Sequence, residues 1–240
     1  MIKRYFHKSD FFKNIATLLS GTILANLIAI AIQPLLSRIY SPEEFGTFTI
    51  YLSIIGMLAP SGNLKYEGAI VLPDSDRKAS ALLLASVFIS FAFSMVWLIV
   101  FFFFDKQIIT LFNFSPSIKI WLLIIPLAIF VISSSRALNF WLIRKKAFRA
   151  SSLNKLVKRG SEGCVQLGTG YFSKFQGLII GNIIGEIFNF IVAFAQSAKH
   201  KLSFKNITSS EIKEQLKRYK DFPLYSSLPS LMNSISLFLP

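Results

Sequence analysis

The chain has 240 residues, of which 53% are hydrophobic and only 16% charged, with 25 Phe and a mean hydropathy of +0.55. Long charge-free blocks separated by basic clusters exclude an ordinary soluble domain, in which about a quarter of residues are charged. The net charge of +14 then reads as basic loops flanking membrane spans, because no basic–aromatic nucleic-acid pattern accompanies it.

A helix needs about 20 apolar residues to cross the hydrocarbon layer. Four segments meet this clearly in the first part of the chain: residues 14–37, 45–64, 79–104 and 118–140. The opening apolar run is too long for the core of a cleavable signal. A fifth segment, 160–172, is short and carries Glu162 and Gln166; a sixth, 175–198, is clear. Residues 222–240 open a seventh.

Lys and Arg set the orientation. Four precede the first span, three lie between the second and third, seven between the fourth and fifth, and seven between the sixth and seventh. The opposite side holds Arg38, Lys106, Lys119 and Lys174, and Arg136 lies within a span. This split puts the N-terminus and the basic loops in the cytoplasm. It also requires the weak fifth span, without which the two groups of seven would face opposite sides.

Polar groups inside spans are costly unless they face protein or water. On the first span Thr22, Asn26, Gln33 and Ser37 fall on one helical face, beside a Pro34 expected to kink the helix. This stripe either hydrogen-bonds neighbouring helices or lines a cavity. "IYSPEEFG" reads as a short outer turn with Pro42 at a helix start and Glu43 and Glu44 at its positive end. Pro60 and Pro126 interrupt their spans. Ser86, Ser90 and Ser94 mark a packing seam on the third span. Arg136 either snorkels to the cytoplasmic interface or pairs with Glu162.

The sixth span offers two faces. Gly177, Gly181 and Gly185 are small-residue steps that permit close helix approach, while Asn182, Glu186 and Asn189 share a polar face. Glu186, near mid-membrane, is the leading candidate for a functional charge. In the following connector Thr208 and Glu211 have capping-box spacing, so a basic amphipathic helix is expected along the membrane surface. Asp74 and Asp76 read as members of a solvated turn.

No phosphate-binding glycine loop, metal-spaced His or Cys set, or nucleophile with a base is present. The lone Cys164 excludes an internal disulfide and a cysteine metal cluster. The expectation is a non-enzyme without cofactor or metal. The fold expected is all-α and membrane-integral: a six-helix N-terminal lobe over 1–198, a cytoplasmic basic linker helix over 199–221, and an incomplete seventh transmembrane helix over 222–240.

Three stretches carry a resemblance: "GTILANLIAIAIQPLLSRIYSPEEFGTFTIYLSI" (residues 21–54), "LKYEGAIVLPDSDRKA" (64–79) and "YKDFPLYSSLPSLMNSISLFLP" (219–240). Together they resemble bacterial polysaccharide-export proteins of the O-antigen flippase type, in the multidrug/oligosaccharidyl-lipid/polysaccharide exporter superfamily. The resemblance implies two six-helix lobes around a central cavity with alternating access, of which this sequence supplies the first, as a truncated or partial chain. It implies translocation of undecaprenyl-pyrophosphate-linked oligosaccharide for O-antigen or capsule in the inner membrane, alongside a polysaccharide polymerase and other assembly proteins. Cation-coupled drug export in the same superfamily and a non-transporting fragment are the alternatives. The substrate-cavity candidates are Asn26, Gln33, Arg38, Arg136, Asn182, Glu186 and Asn189. A pyrophosphate calls for cations, and of these only Arg38 and Arg136 are basic, with Lys65 and Lys119 at span ends.

Overall fold

A computed structural model describes residues 2–111, 118–172, 176–205 and 207–238, with side chains from residue 16 onward except at 111, 172, 235, 237 and 238. Residues 112–117 and Lys174 lie outside the described residues, as do the side chains of the N-terminal basic cluster. All regular structure described is helical, in the order α1 (Ile2–Ile39), α2 (Pro42–Leu58), α3 (Tyr66–Ala69), α4 (Asp76–Leu111), α5 (Lys119–Arg144), α6 (Phe148–Phe172), α7 (Gly177–Lys199), α8 (Ser209–Arg218) and α9 (Leu228–Phe238).

Four helices are long and apolar enough to cross a membrane: Ala16–Ile39, Asp76–Thr110, Lys119–Arg144 and Gly177–Lys199. The protein is a multi-pass membrane protein. Their outward faces are apolar, with Ile30 68% and Phe103 66% exposed, as hydrocarbon contact requires. The helix α2 has 17 residues, just short of a span, and α6 carries a charged face, so these two do not qualify by length and composition. The weak fifth segment is in fact the second half of a 25-residue helix that starts at Phe148. Much of what reads as a basic loop is therefore helix.

Local signals account for several boundaries. Ser41 caps α2: its Oγ accepts the Glu44 N–H at 3.3 Å, and Glu44 Oε2 accepts the Ser41 N–H at 2.8 Å, a reciprocal capping box. Pro60 falls in a tight turn, Ala59–Ser61, that ends α2, where its missing N–H is tolerated. Helices α1 and α5 continue through Pro34 and Pro126. The backbone of α4 breaks its helical geometry at Phe104, beside Asp105, whose carboxylate meets Lys119 at 2.8 Å and ties the end of α4 to the start of α5.

The core has three parts. Tyr51 and Ile55 of α2 pack with Leu122, Ile125 and Ile129 of α5. Leu82 of α4 packs with Leu138 and Trp141 of α5 and with Tyr66 and Ile70. Leu36 of α1 and Tyr40, just past its end, pack against Leu178 of α7. Ser86, Ser90 and Ser94 are all buried between helices, as a packing seam should be. Ser86 and Ser90 return their hydroxyl protons to carbonyls one turn back, at 2.9 Å.

The connector helix α8 carries the expected capping box between Thr208 and Glu211. It is docked against the bundle through one face. Gln215 is buried, Tyr66 donates its hydroxyl to the Leu216 carbonyl at 3.2 Å, and Arg77 meets Glu211 at 2.8 Å. The Thr208 N–H, and secondarily the Arg77 guanidinium, hold the Glu211 carboxyl below its ordinary range. Asp76 is likewise more than a solvated turn residue, because Arg144 and Lys145 from the end of α5 both bond it. Arg144 also donates to the carbonyls of Val71 and Pro73, at 3.2 and 2.7 Å. The turn before α4 is thus a hub for α5 and α8.

Candidate functional site

The site grows from the α6–α7 hairpin. Gly181 and Gly185 of α7 sit directly on α6: a Cβ at Gly181 would lie 3.0 Å from the Gln166 nitrogen and the Glu162 carbonyl, and one at Gly185 would lie 3.0 Å from the Lys158 carbonyl. Backbone surfaces can approach this closely only where the side chain is hydrogen. The contact brings Lys158, Glu162 and Gln166 of α6, spaced by four, against Asn182, Glu186 and Asn189 of α7.

At that distance the polar faces satisfy one another. Lys158 Nζ is bonded to the Glu186 carboxylate. Arg159 holds Glu162 Oε2 at 3.0 Å, and Asn182 Nδ2 donates to Glu162 Oε1 at 2.7 Å. Gln166 Nε2 donates to the Leu178 carbonyl at 3.0 Å, and Tyr40, just past the end of α1, donates to the Gln166 carbonyl at 2.6 Å. Both carboxylates are buried, Glu162 to 5% and Glu186 to 4% exposure, and each has its own cation. Buried charges persist only with such partners.

Arg136 enters from α5. Its guanidinium donates to the Ala59 carbonyl at 3.2 Å, where the α2 helix ends and Ser133 also bonds. Among the described residues no carboxylate lies within ion-pair distance of it. Neither expected arrangement of Arg136 is found. Glu162 is occupied by Arg159 and Asn182, and the guanidinium points inward to a carbonyl rather than snorkelling outward.

These groups line one cavity of about 700 Å³ between α1, α2, α5, α6 and α7. Its wall combines three cations, Arg136, Lys158 and Arg159, with two carboxylates, Glu162 and Glu186, and the amides of Gln33, Asn139, Gln166, Asn182 and Asn189. An apolar side, including Phe45, Phe48 and Leu52 of α2, faces them. Among the described residues no group of His, Cys, Asp and Glu is arranged to hold a metal ion.

Of the sequence candidates, Gln33, Arg136, Asn182, Glu186 and Asn189 line the cavity. Asn26 and Arg38 do not: both are exposed on α1 away from it. The α1 stripe therefore splits, with Gln33 facing the cavity and Thr22 accepting a hydrogen bond from Lys155 at 2.7 Å. Lys158 and Arg159 were missed, because counting loop charges placed them in the cytoplasm. Their signal was the four-residue spacing from Lys158 through Glu162 to Gln166, which continues one helical face across the assumed span boundary.

No curated protein and no solved structure matches the chain. Residues 35–236 match the family described as polysaccharide biosynthesis protein. That stretch contains α2 to α8, the cavity cations and both buried carboxylates, so the chain belongs to the polysaccharide biosynthesis protein family.

Proposed function

We propose that the chain forms a cargo-holding lobe of an exporter that moves a pyrophosphate-linked, lipid-borne oligosaccharide across the bacterial inner membrane. In this reading residues 1–198 are the lobe, with α2 and α6 crossing the membrane beside the four apolar helices. Residues 199–221 are a cytoplasmic linker and 222–240 open the next helix. The N-terminus is cytoplasmic, and the protein does its work by binding and release rather than by bond chemistry.

The observation that carries the reading is Arg136. It is the cavity cation that makes no direct ion pair among the described residues, with the buried Glu67 and Glu186 acting on it only from beyond contact distance, whereas Lys158 and Arg159 are each paired. An entering anion meets a guanidinium that is bonded to a carbonyl and not to a carboxylate, and its planar fork of donors suits phosphate oxygens. The amides of Gln33, Asn139 and Asn189 supply donors and acceptors suited to sugar hydroxyls. The two buried acids favour a second reading, cation-coupled drug export, but both are already compensated by protein cations.

Replacing Arg136 tests the proposal in cells that depend on this gene for surface polysaccharide. Arg136→Gln should reduce surface polymer at least about tenfold, as loss of a charge-assisted contact of more than 1.4 kcal/mol would, with lipid-linked precursor accumulating inside. Arg136→Lys should retain part of the activity. Wild-type export by Arg136→Gln, at equal protein level in the membrane, would remove the basis of the reading.

A further inference from the structure

Where α5 hands over to α6, a second cavity of about 290 Å³ lies apart from the first. Thr17 of α1, the turn at Lys146 and Ala147, the first residues of α6 and His200 at the end of α7 line it. The turn is a Schellman ending: the Ala147 N–H reaches the Leu142 carbonyl at 2.8 Å and the Lys146 N–H reaches that of Ile143 at 2.9 Å. Lys146 holds φ 55°, the left-handed position that glycine occupies with least strain. Helix α7 ends the same way, with Leu202 bonded to Ser197 at 3.0 Å, Lys201 to Ala198 at 3.1 Å, and Lys201 at φ 63°. Twice, on neighbouring helix ends, a lysine stands where glycine would be the easier residue.

Among the described residues, no carboxylate forms an ion pair with Lys146, Arg149, His200 or Lys201. Ala147, just before α6, offers no side-chain oxygen to the free amides of the first turn, an end of the helix that favours negative charge. Two turns along α1 on the face of Thr17, Leu24 is 50% exposed. Leu19, Ile23 and Leu27 of α1 are exposed as well, an outward apolar surface beside the basic pocket.

We propose that this pocket holds the phosphate of an anionic phospholipid headgroup, between Lys146 and Arg149, with the acyl chains lying along α1. Basic pockets between helices at a membrane face recognise such headgroups. The proposal rests on the membrane placement of the chain and is independent of what the larger cavity carries. Free phosphate shares the headgroup's chemistry but would not use the apolar surface.

Native mass spectrometry of the detergent-purified chain with phosphatidylglycerol, phosphatidylcholine or inorganic phosphate tests it. The wild type should retain phosphatidylglycerol in preference to phosphatidylcholine. The Lys146→Gly, Arg149→Gln double variant should lose about 25-fold of that retention, since each basic group near an anionic headgroup is worth about fivefold. Glycine at 146 suits the backbone, so folding is preserved. Lys205→Gln, which removes an exposed cation elsewhere, should bind as the wild type does. Equal phosphatidylglycerol retention in wild type and double variant overturns the proposal, as does an equal loss in Lys205→Gln. Retention of inorganic phosphate without a phosphatidylglycerol preference would also overturn it, assigning the pocket to the free ion.

Discussion

Two clusters of ion pairs stand at different depths of the bundle. Around Asp76, the pairs with Arg144 and Lys145, together with Arg77–Glu211, join the turn before α4 to α5 and α8. Around Glu186 and Glu162, the pairs with Lys158 and Arg159 line the cavity. The chemistry is the same, but the Asp76 and Arg77 side chains are 51% and 56% exposed, against 6% for each cavity carboxylate. Water screens the first cluster and fixes locations more than it stabilises. In the second, removing either partner leaves a charge in a medium that cannot solvate it.

The largest effect should come from breaking the inner cluster on one side. Glu186→Gln strands Lys158 and should cost about 3 kcal/mol in thermal unfolding of the detergent-purified protein. Lys158→Met combined with Glu186→Leu should recover most of that loss, because both charges leave together. A double variant as unstable as the single would mean that the pair is not what balances the site.

A smaller loss should follow a change of spacing beneath the same charges. Gly185→Ala places a methyl group 3.0 Å from the Lys158 carbonyl, so α6 and α7 must part, at about 2 kcal/mol. Unchanged unfolding would show that the two helices have room to give. The outer cluster should respond least. Arg77→Gln should cost about 0.5 kcal/mol, and less at high salt.

The pH response of that outer cluster has a definite sign. The Glu211 carboxyl is held below its ordinary range when folded. Its contribution is therefore present above the unfolded carboxylate range and fades as pH falls through the lower folded value. The acid side of a stability–pH profile should flatten in Glu211→Gln relative to the wild type. Superimposable acid limbs would show that the cap and the Arg77 contact do not bias that carboxyl.

Spacing within a single helix was legible in the sequence; pairing between distant segments was not. The Ser86–Ser90–Ser94 seam, the Thr208–Glu211 cap and the glycine and polar faces of α7 all follow from periodicity along one element. Asp76 could not be read as a hub, because Arg144 and Lys145 lie almost 70 positions away. The carbonyl that orients Arg136 belongs to Ala59, 77 positions earlier. Lys158 and Arg159 were hidden by a sound rule applied across a boundary that the fold does not respect. Positive charge near a span is usually loop, but here the acids of α6 and α7 draw it into the bundle.

The glycine stripe on α7 repeats every four residues, close to one helical turn. A slide of about 6 Å along α6 would bring Gly181 to where Gly185 now sits and leave the closeness of the two backbones almost unchanged. The charges have no such repeat: the same slide would set Lys158 opposite Asn182 and Glu162 opposite Leu178. Separation and alignment are thus encoded in different residues on different faces, glycine fixing how near the helices stand and Lys158–Glu186 fixing which rung meets which.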